Sequence, residues 1–209
     1  RAMLAVDNGW RAERGLSVVG AETTFGFDGE VPVEVPGTGV RLLGKVDKVD
    51  QAAGVVAVTD IKTGGSGSFD AISQDDPTAS GTKLQLATYA LAARVAHGED
   101  AAVDSSYWFT GTAVSDTPMT RKAISLDAHM VAELAHFVGA YADGIRGGVF
   151  PQRPPASDDR SWVQCEYCNP DGRGYTDARR AHERKAADPV LASLYGALER
   201  ETDEEDGDE

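Results

Sequence analysis

Long apolar runs are missing from this sequence. No stretch approaches the roughly 18 consecutive apolar residues that a membrane-spanning helix requires, so no such helix is expected. Residues 1–15 mix polar and apolar side chains and resemble no signal peptide, which makes the cytoplasm the expected compartment. Cysteine is scarce too. Cys165 and Cys168 are the only two in 209 residues, too few and too close together for a disulfide-stapled secreted scaffold. Positive charge is also short: 20 Lys and Arg face 34 Asp and Glu, a net charge of -14, which weighs against a broad basic surface for nucleic acid. About half of that excess is local, because residues 199–209 hold eight acids and one arginine. Such a tail is expected to be disordered, and the rest of the chain is only mildly acidic.

What remains is ordinary for a soluble globular protein, with 41% hydrophobic and 26% charged residues. The length supports one sizeable core. The expected organisation is a core over residues 1–150, a helical appendage with the two cysteines over 151–198, and the acidic tail over 199–209. A first residue of Arg rather than Met suggests a fragment, a processed chain or renumbering.

Residues 1–14 read as the end of a helix with Leu4, Trp10 and Ala12 as its apolar face. Residues 18–27, 31–35, 40–49 and 55–61 are β-rich runs separated by Asp-Gly, Pro-Gly-Thr-Gly and Ala-Ala-Gly turn signals, a pattern that predicts an antiparallel meander. Residues 65–81 are rich in Gly, Ser and Asp without a period and predict a mobile loop. A helix is predicted over 82–97, strands over 102–110 and 119–126, a long helix over 127–146, and a helical end over 176–198 broken at Pro189. The class is α/β (α+β): a central mixed sheet containing the meander and flanked by helices.

Chemistry concentrates at "VTDIKTGG". Alternation along a strand puts Asp60 and Lys62 on one face, and on the preceding strand Lys45, Asp47 and Val49 share a face. Counting outward from a turn near Ala53, Asp47 and Asp60 fall nearly opposite each other, at the ~4.5 to 5.5 Å typical of cross-strand pairs. Two ionised carboxylates so close repel. A hard divalent cation relieves that repulsion, and Mg²⁺ takes one or two carboxylates together with water and a substrate phosphate. The expected site is therefore a Mg²⁺ or Mn²⁺ ion between Asp47 and Asp60, with Lys62 beside it to hold a water and neutralise developing charge. Gly64 and Gly65 leave room for a nucleic-acid backbone.

"GKVDKVD", "VTDIKTG" and "QLATY", in that order, resemble the PD-(D/E)XK nuclease superfamily, in the branch that includes the RecB and AddB nuclease domains. The resemblance implies a restriction-endonuclease-like fold and a Mg²⁺- or Mn²⁺-dependent deoxyribonuclease acting at DNA ends or on single strands, within a helicase-nuclease or another repair, recombination or defence system. Gly44 and Asp47 match the first metal-binding strand, and Asp60 and Lys62 match the Asp-x-Lys strand, with the backbone carbonyl of Ile61 as a further implied ligand. Gln85 and Tyr89, four apart on one helix face, match the Gln-x-x-x-Tyr helix and are implied to line the active site. Glu22, in "VVGAETTF", is implied to support the metal.

The sequence departs from that pattern in two places. Relatives in this branch carry a metal-binding histidine upstream of the strands, whereas His97, His129, His136 and His182 all follow Asp47 and read as exposed or helix-face residues. Many relatives also hold an iron-sulfur cluster on four cysteines. Cys165 and Cys168 alone form a half site for a cluster or for zinc, with His182 as a candidate third ligand and a pair of reduced thiols as the alternative. Both missing ligands are expected upstream of Arg1. Trp162 and Tyr167 are expected to pack the cysteine segment, and Arg179, Arg180, Arg184 and Lys185 either touch phosphate or form a solvated helix face.

The alternative function keeps the fold without the reaction: an inactive nuclease-fold module with a structural or DNA-docking role in a helicase complex. A third reading makes the acidic tail a DNA mimic.

Overall fold

The computed structural model describes residues 2–111, 119–151, 154, 175–191 and 194–195. Its contacts divide into two compact units, Arg1–Gly139 and Ala140–Glu209. The first begins with helix α1 (Ala2–Arg14), followed by β1 (Ser17–Phe25), β2 (Val33–Val35) and β3 (Val40–Leu42). The hairpin β4 (Gly44–Ala52) and β5 (Val55–Lys62) comes next, then α2 (Gln85–His97), β6 (Ala102–Phe109), β7 (Arg121–Ser125) and α3 (Ala128–Arg146), which runs past the boundary at Gly139. Helix α4 (Thr176–Ala186) lies in the second unit. Among the described residues no helix is long and apolar enough to cross a membrane.

Five strands form one mixed sheet in the order β1-β4-β5-β6-β7. Only β5 and β6 run parallel, and α2 makes the crossover that a parallel pair needs. The expected mixed sheet flanked by helices is thus present, but the meander is interrupted. β2 and β3 pair with each other as a separate two-stranded sheet, so β1 skips them to pair with β4. Their contribution is to the core, where Val33 and Val35 are 1% and 0% exposed.

Strand alternation gives the sheet two different faces. Val49, Val56, Val58 and Val103 belong to the apolar core with Leu86, Ala90 and Ala93 of α2 and Met130, Leu134 and Val138 of α3. Alanines on α2 let that helix lie close to the sheet. Lys48, Asp50, Thr59 and Arg121 are one residue out of phase and meet α1 instead, through Asp7. This corrects the apolar face expected for α1: Leu4 is 65% exposed, and buried Asp7 is the residue that docks the helix.

Residues 65–81, expected as a mobile loop, are irregular but stitched down. Ile72, Thr78 and Ala79 are buried, Lys122 Nζ donates to the carbonyls of Phe69 and Asp70 at 2.6 and 2.7 Å, and Gln74 exchanges hydrogen bonds with the backbone of Ser125. Cys165, Cys168, Trp162, Tyr167 and the tail 199–209 lie outside the described residues.

Candidate active site

The β4–β5 ladder pairs Lys48 with Thr59 and Val49 with Val58. The residues one step beyond the end of that ladder are Asp47 and Asp60. The turn itself is closed by Gly54 at φ 73, a left-handed conformation that glycine adopts without penalty. Asp47 also reaches across the strands, its Oδ2 accepting from the Ile61 backbone N–H at 2.8 Å. Asp60, 4% exposed, forms an ion pair with Lys62 at 2.7 Å, yet its buried Oδ2 accepts no aligned hydrogen bond.

Burial raises the Asp60 carboxyl above its ordinary range; Lys62 pulls it back and the charge of Asp47 pushes it up again, leaving it raised. An under-coordinated carboxylate held beside a second one fits a hard cation that brings its own water. Asp47 and Asp60 are the donors that fit Mg²⁺ or Mn²⁺. Among the described residues no group of three or more His, Cys, Asp or Glu gathers closely enough to hold an ion.

Glu22 follows that count. It sits at φ 51 in β1 with its side chain exposed, and it pairs with Lys45 rather than with the two aspartates. The bond to Asp47 uses the N–H of Ile61 and leaves its carbonyl as the group implied to bind metal.

Lys62 is held from two sides. Its Nζ donates to Gln85 Oε1 at 3.0 Å, and Gln85 Nε2 donates to the Tyr89 hydroxyl at 2.9 Å, the amide orientation that satisfies both neighbours. Tyr89 therefore acts on the site through Gln85. Burial and then the charges of Asp60 and Asp47 raise the Tyr89 phenol, so it stays protonated. On its other side Lys62 lies 5.0 Å from the Tyr107 ring centroid and 5.8 Å from that of Phe69. Tyr107 is 1% exposed, and burial together with the Asp60 charge raises its phenol strongly.

Gly44 has a packing reason. A Cβ there would come 2.7 Å from the Phe25 ring, and Phe25 meets Tyr89 edge-on with centroids 6.1 Å apart. The glycine thus lets an aromatic buttress stand behind the helix that carries Gln85. A Cβ on Gly64 would meet nothing within 4 Å, which leaves open space just beyond Lys62.

The remaining candidates lie elsewhere. His97, His129 and His136 are exposed, and His129 Nε2 contacts the Asp75 carbonyl at 2.9 Å. In the second unit His182 Nδ1 lies 3.1 Å from the Tyr195 hydroxyl. There Arg180 pairs with Asp177 at 3.7 Å, Arg179 contacts Thr176, and Arg184 and Lys185 are exposed on α4.

A group that sequence reasoning misses lies on the α1 face of the sheet. Asp7 accepts from Lys48 and Arg121 at 2.8 Å each and from Arg11 at 3.1 Å, and Asp50, fully buried, accepts from Lys48 at 2.7 Å. The Arg121 guanidinium lies 4.0 Å from the Trp10 ring centroid and 4.4 Å from that of Trp108. A cleft of about 420 Å³ opens here beside Trp10, Arg14, Ser106 and Arg121, and neither Asp47 nor Asp60 lines it. Its place as the first charged residue of α1, three residues before Trp10, is the sequence signal that marks Asp7.

No curated protein and no solved structure matches the chain significantly. The sequence profile of the PD-(D/E)XK nuclease superfamily does, over residues 1–171. That span takes in both acid-bearing strands, the Lys62 strand end and the Gln85 helix on a mixed sheet, and the chain belongs to the PD-(D/E)XK nuclease superfamily.

Proposed function

We propose that this protein is a Mg²⁺- or Mn²⁺-dependent deoxyribonuclease. The observation that carries the reading is Asp47 accepting from the backbone N–H of Ile61, the residue after Asp60, at 2.8 Å, with the Lys62 ammonium 2.7 Å from Asp60. When bound, the metal supplies Lewis acidity to a phosphodiester oxygen. Asp47 and Asp60 hold it, with the Ile61 carbonyl and Glu22 as the further ligands the resemblance implies. Lys62 orients the attacking water and offsets charge that develops on the phosphate. Gln85 fixes the direction of that ammonium, and Tyr89 fixes Gln85.

The order of the motif blocks supports a RecB- or AddB-like domain working at DNA ends or on single strands, in company with a helicase domain or subunit. Alanine at Asp60 is expected to abolish Mn²⁺-dependent cleavage of single-stranded and linear duplex DNA while binding survives. Cleavage that persists in Asp60→Ala overturns the assignment.

The two-acid count among the described residues favours one rival, a nuclease-fold module that docks on DNA without cutting it. Titration calorimetry separates the two: an enzyme shows a saturable Mn²⁺ site that Asp47→Ala removes, and a docking module shows none.

A further inference from the structure

Cations in the first unit are almost all spoken for. Among the described residues of 2–139, every Lys and Arg but one has a carboxylate oxygen within 4.0 Å. The exception is Lys83. Its ammonium instead lies 4.7 Å from the centroid of the Phe69 ring, the same ring that Lys62 approaches at 5.8 Å.

The surroundings fix both lysines. Phe69 is packed against Tyr107 at 4.6 Å and Phe109 at 5.4 Å between centroids, and Lys122 holds its carbonyl. The Lys83 backbone N–H donates at 2.8 Å to the carbonyl of Thr78, a residue with no exposure. A pinned aromatic ring thus carries a second ammonium beside the first, two residues before Gln85 and facing no acid. In a chain of net charge -14, a cation left without a carboxylate on the ring that Lys62 also approaches calls for an anionic partner of its own.

Resting on the nuclease reading above, we propose that Lys83 binds the phosphate next to the scissile one and so sets how the strand lies across Phe69. Lys62 serves the reacting phosphate; Lys83 serves its neighbour. The contact is to the backbone and carries no base preference.

Two measurements test this. In cleavage of a single-stranded oligonucleotide with Mn²⁺, Lys83→Gln is expected to raise KM about five- to tenfold with kcat within about twofold, and Lys83→Arg to restore KM. In EDTA, fluorescence anisotropy compares Asp60→Asn with Asp60→Asn/Lys83→Gln; the slope of log affinity against log salt is expected to fall by about one. An unchanged slope with an unchanged KM overturns the proposal. So does a lowered melting temperature with an unchanged slope, which assigns Lys83 to holding the 67–69 turn. If the parent protein cuts no DNA, the nuclease reading fails and the anisotropy slope still decides Lys83.

Discussion

Asp60 is where function and stability pull in opposite directions. Burial first, and then the charge of Asp47, raise its carboxyl despite Lys62. For an acid, a raised value in the folded state means that folding favours the protonated form. The group therefore adds stability at low pH and takes it away as pH rises through the folded value. At neutral pH the ionised side chain strains the metal-free fold. Asparagine keeps the shape and removes the charge, so Asp60→Asn is expected to melt in EDTA at the parent temperature or above it, while cleavage falls at least about a hundredfold. Melting curves followed by circular dichroism check this, and a loss of several degrees would show the Lys62 ion pair to be the larger effect. Asp47, Asp60 and Lys62 are legible in the sequence because strand alternation and a short turn fix register without knowledge of anything distant. Lys83 is not, since a lysine between a loop and a helix forms no pattern until Phe69 and the unpaired charge are seen together. The positive φ of Glu22 and its ion pair with Lys45 are local features that strand alternation does not encode.

Elements follow the same division. β4, β5 and α2 are readable from period and turn residues, whereas the pairing of β1 with β4 across the β2–β3 hairpin is a long-range choice that turn signals do not encode. Helix α1 shows the limit most clearly, because an apolar-face rule cannot find a helix that docks through a charge. Burial works to raise Asp7, but hydrogen bonds from Lys48 and Arg11 and the charges of Lys48 and Arg121 outweigh it, and its carboxyl ends below the ordinary 3.8. A depressed acid contributes stability above its unfolded value and loses it as pH falls through its folded one. Breaking a buried pair by removing one partner typically costs 3–5 kcal/mol. Asp7→Ala is expected near the low end, on the order of 3 kcal/mol at pH 7, because Asp50 still faces Lys48 and Arg11. The urea midpoints of parent and variant should draw together as pH falls below 3.8 and through the lower value that Asp7 has in the fold. A difference that persists undiminished at pH 2.5 would show that Asp7 acts through packing rather than charge.

At the scale of the whole molecule, an acidic protein of this superfamily must approach a polyanion against its own field. Among the described cations of residues 2–139 every one but Lys83 has a carboxylate oxygen within 4.0 Å, which leaves little positive charge there to attract a phosphate strand. Long-range steering should be unfavourable, and the eight acids of residues 199–209 are its largest local source. Their influence reaches about a Debye length, ~10 Å at 0.1 M salt and ~3 Å at 1 M. Removing residues 199–209 is therefore expected to strengthen binding of single-stranded DNA several-fold at low ionic strength, through faster association, with the advantage gone at high salt. Stopped-flow association rates across a salt series distinguish this from a specific role: a tail that occupies the DNA site as a mimic would, on removal, raise affinity at every salt concentration. An effect confined to low salt makes the tail a repulsive field, and residues before 199 alone then set where the strand is held.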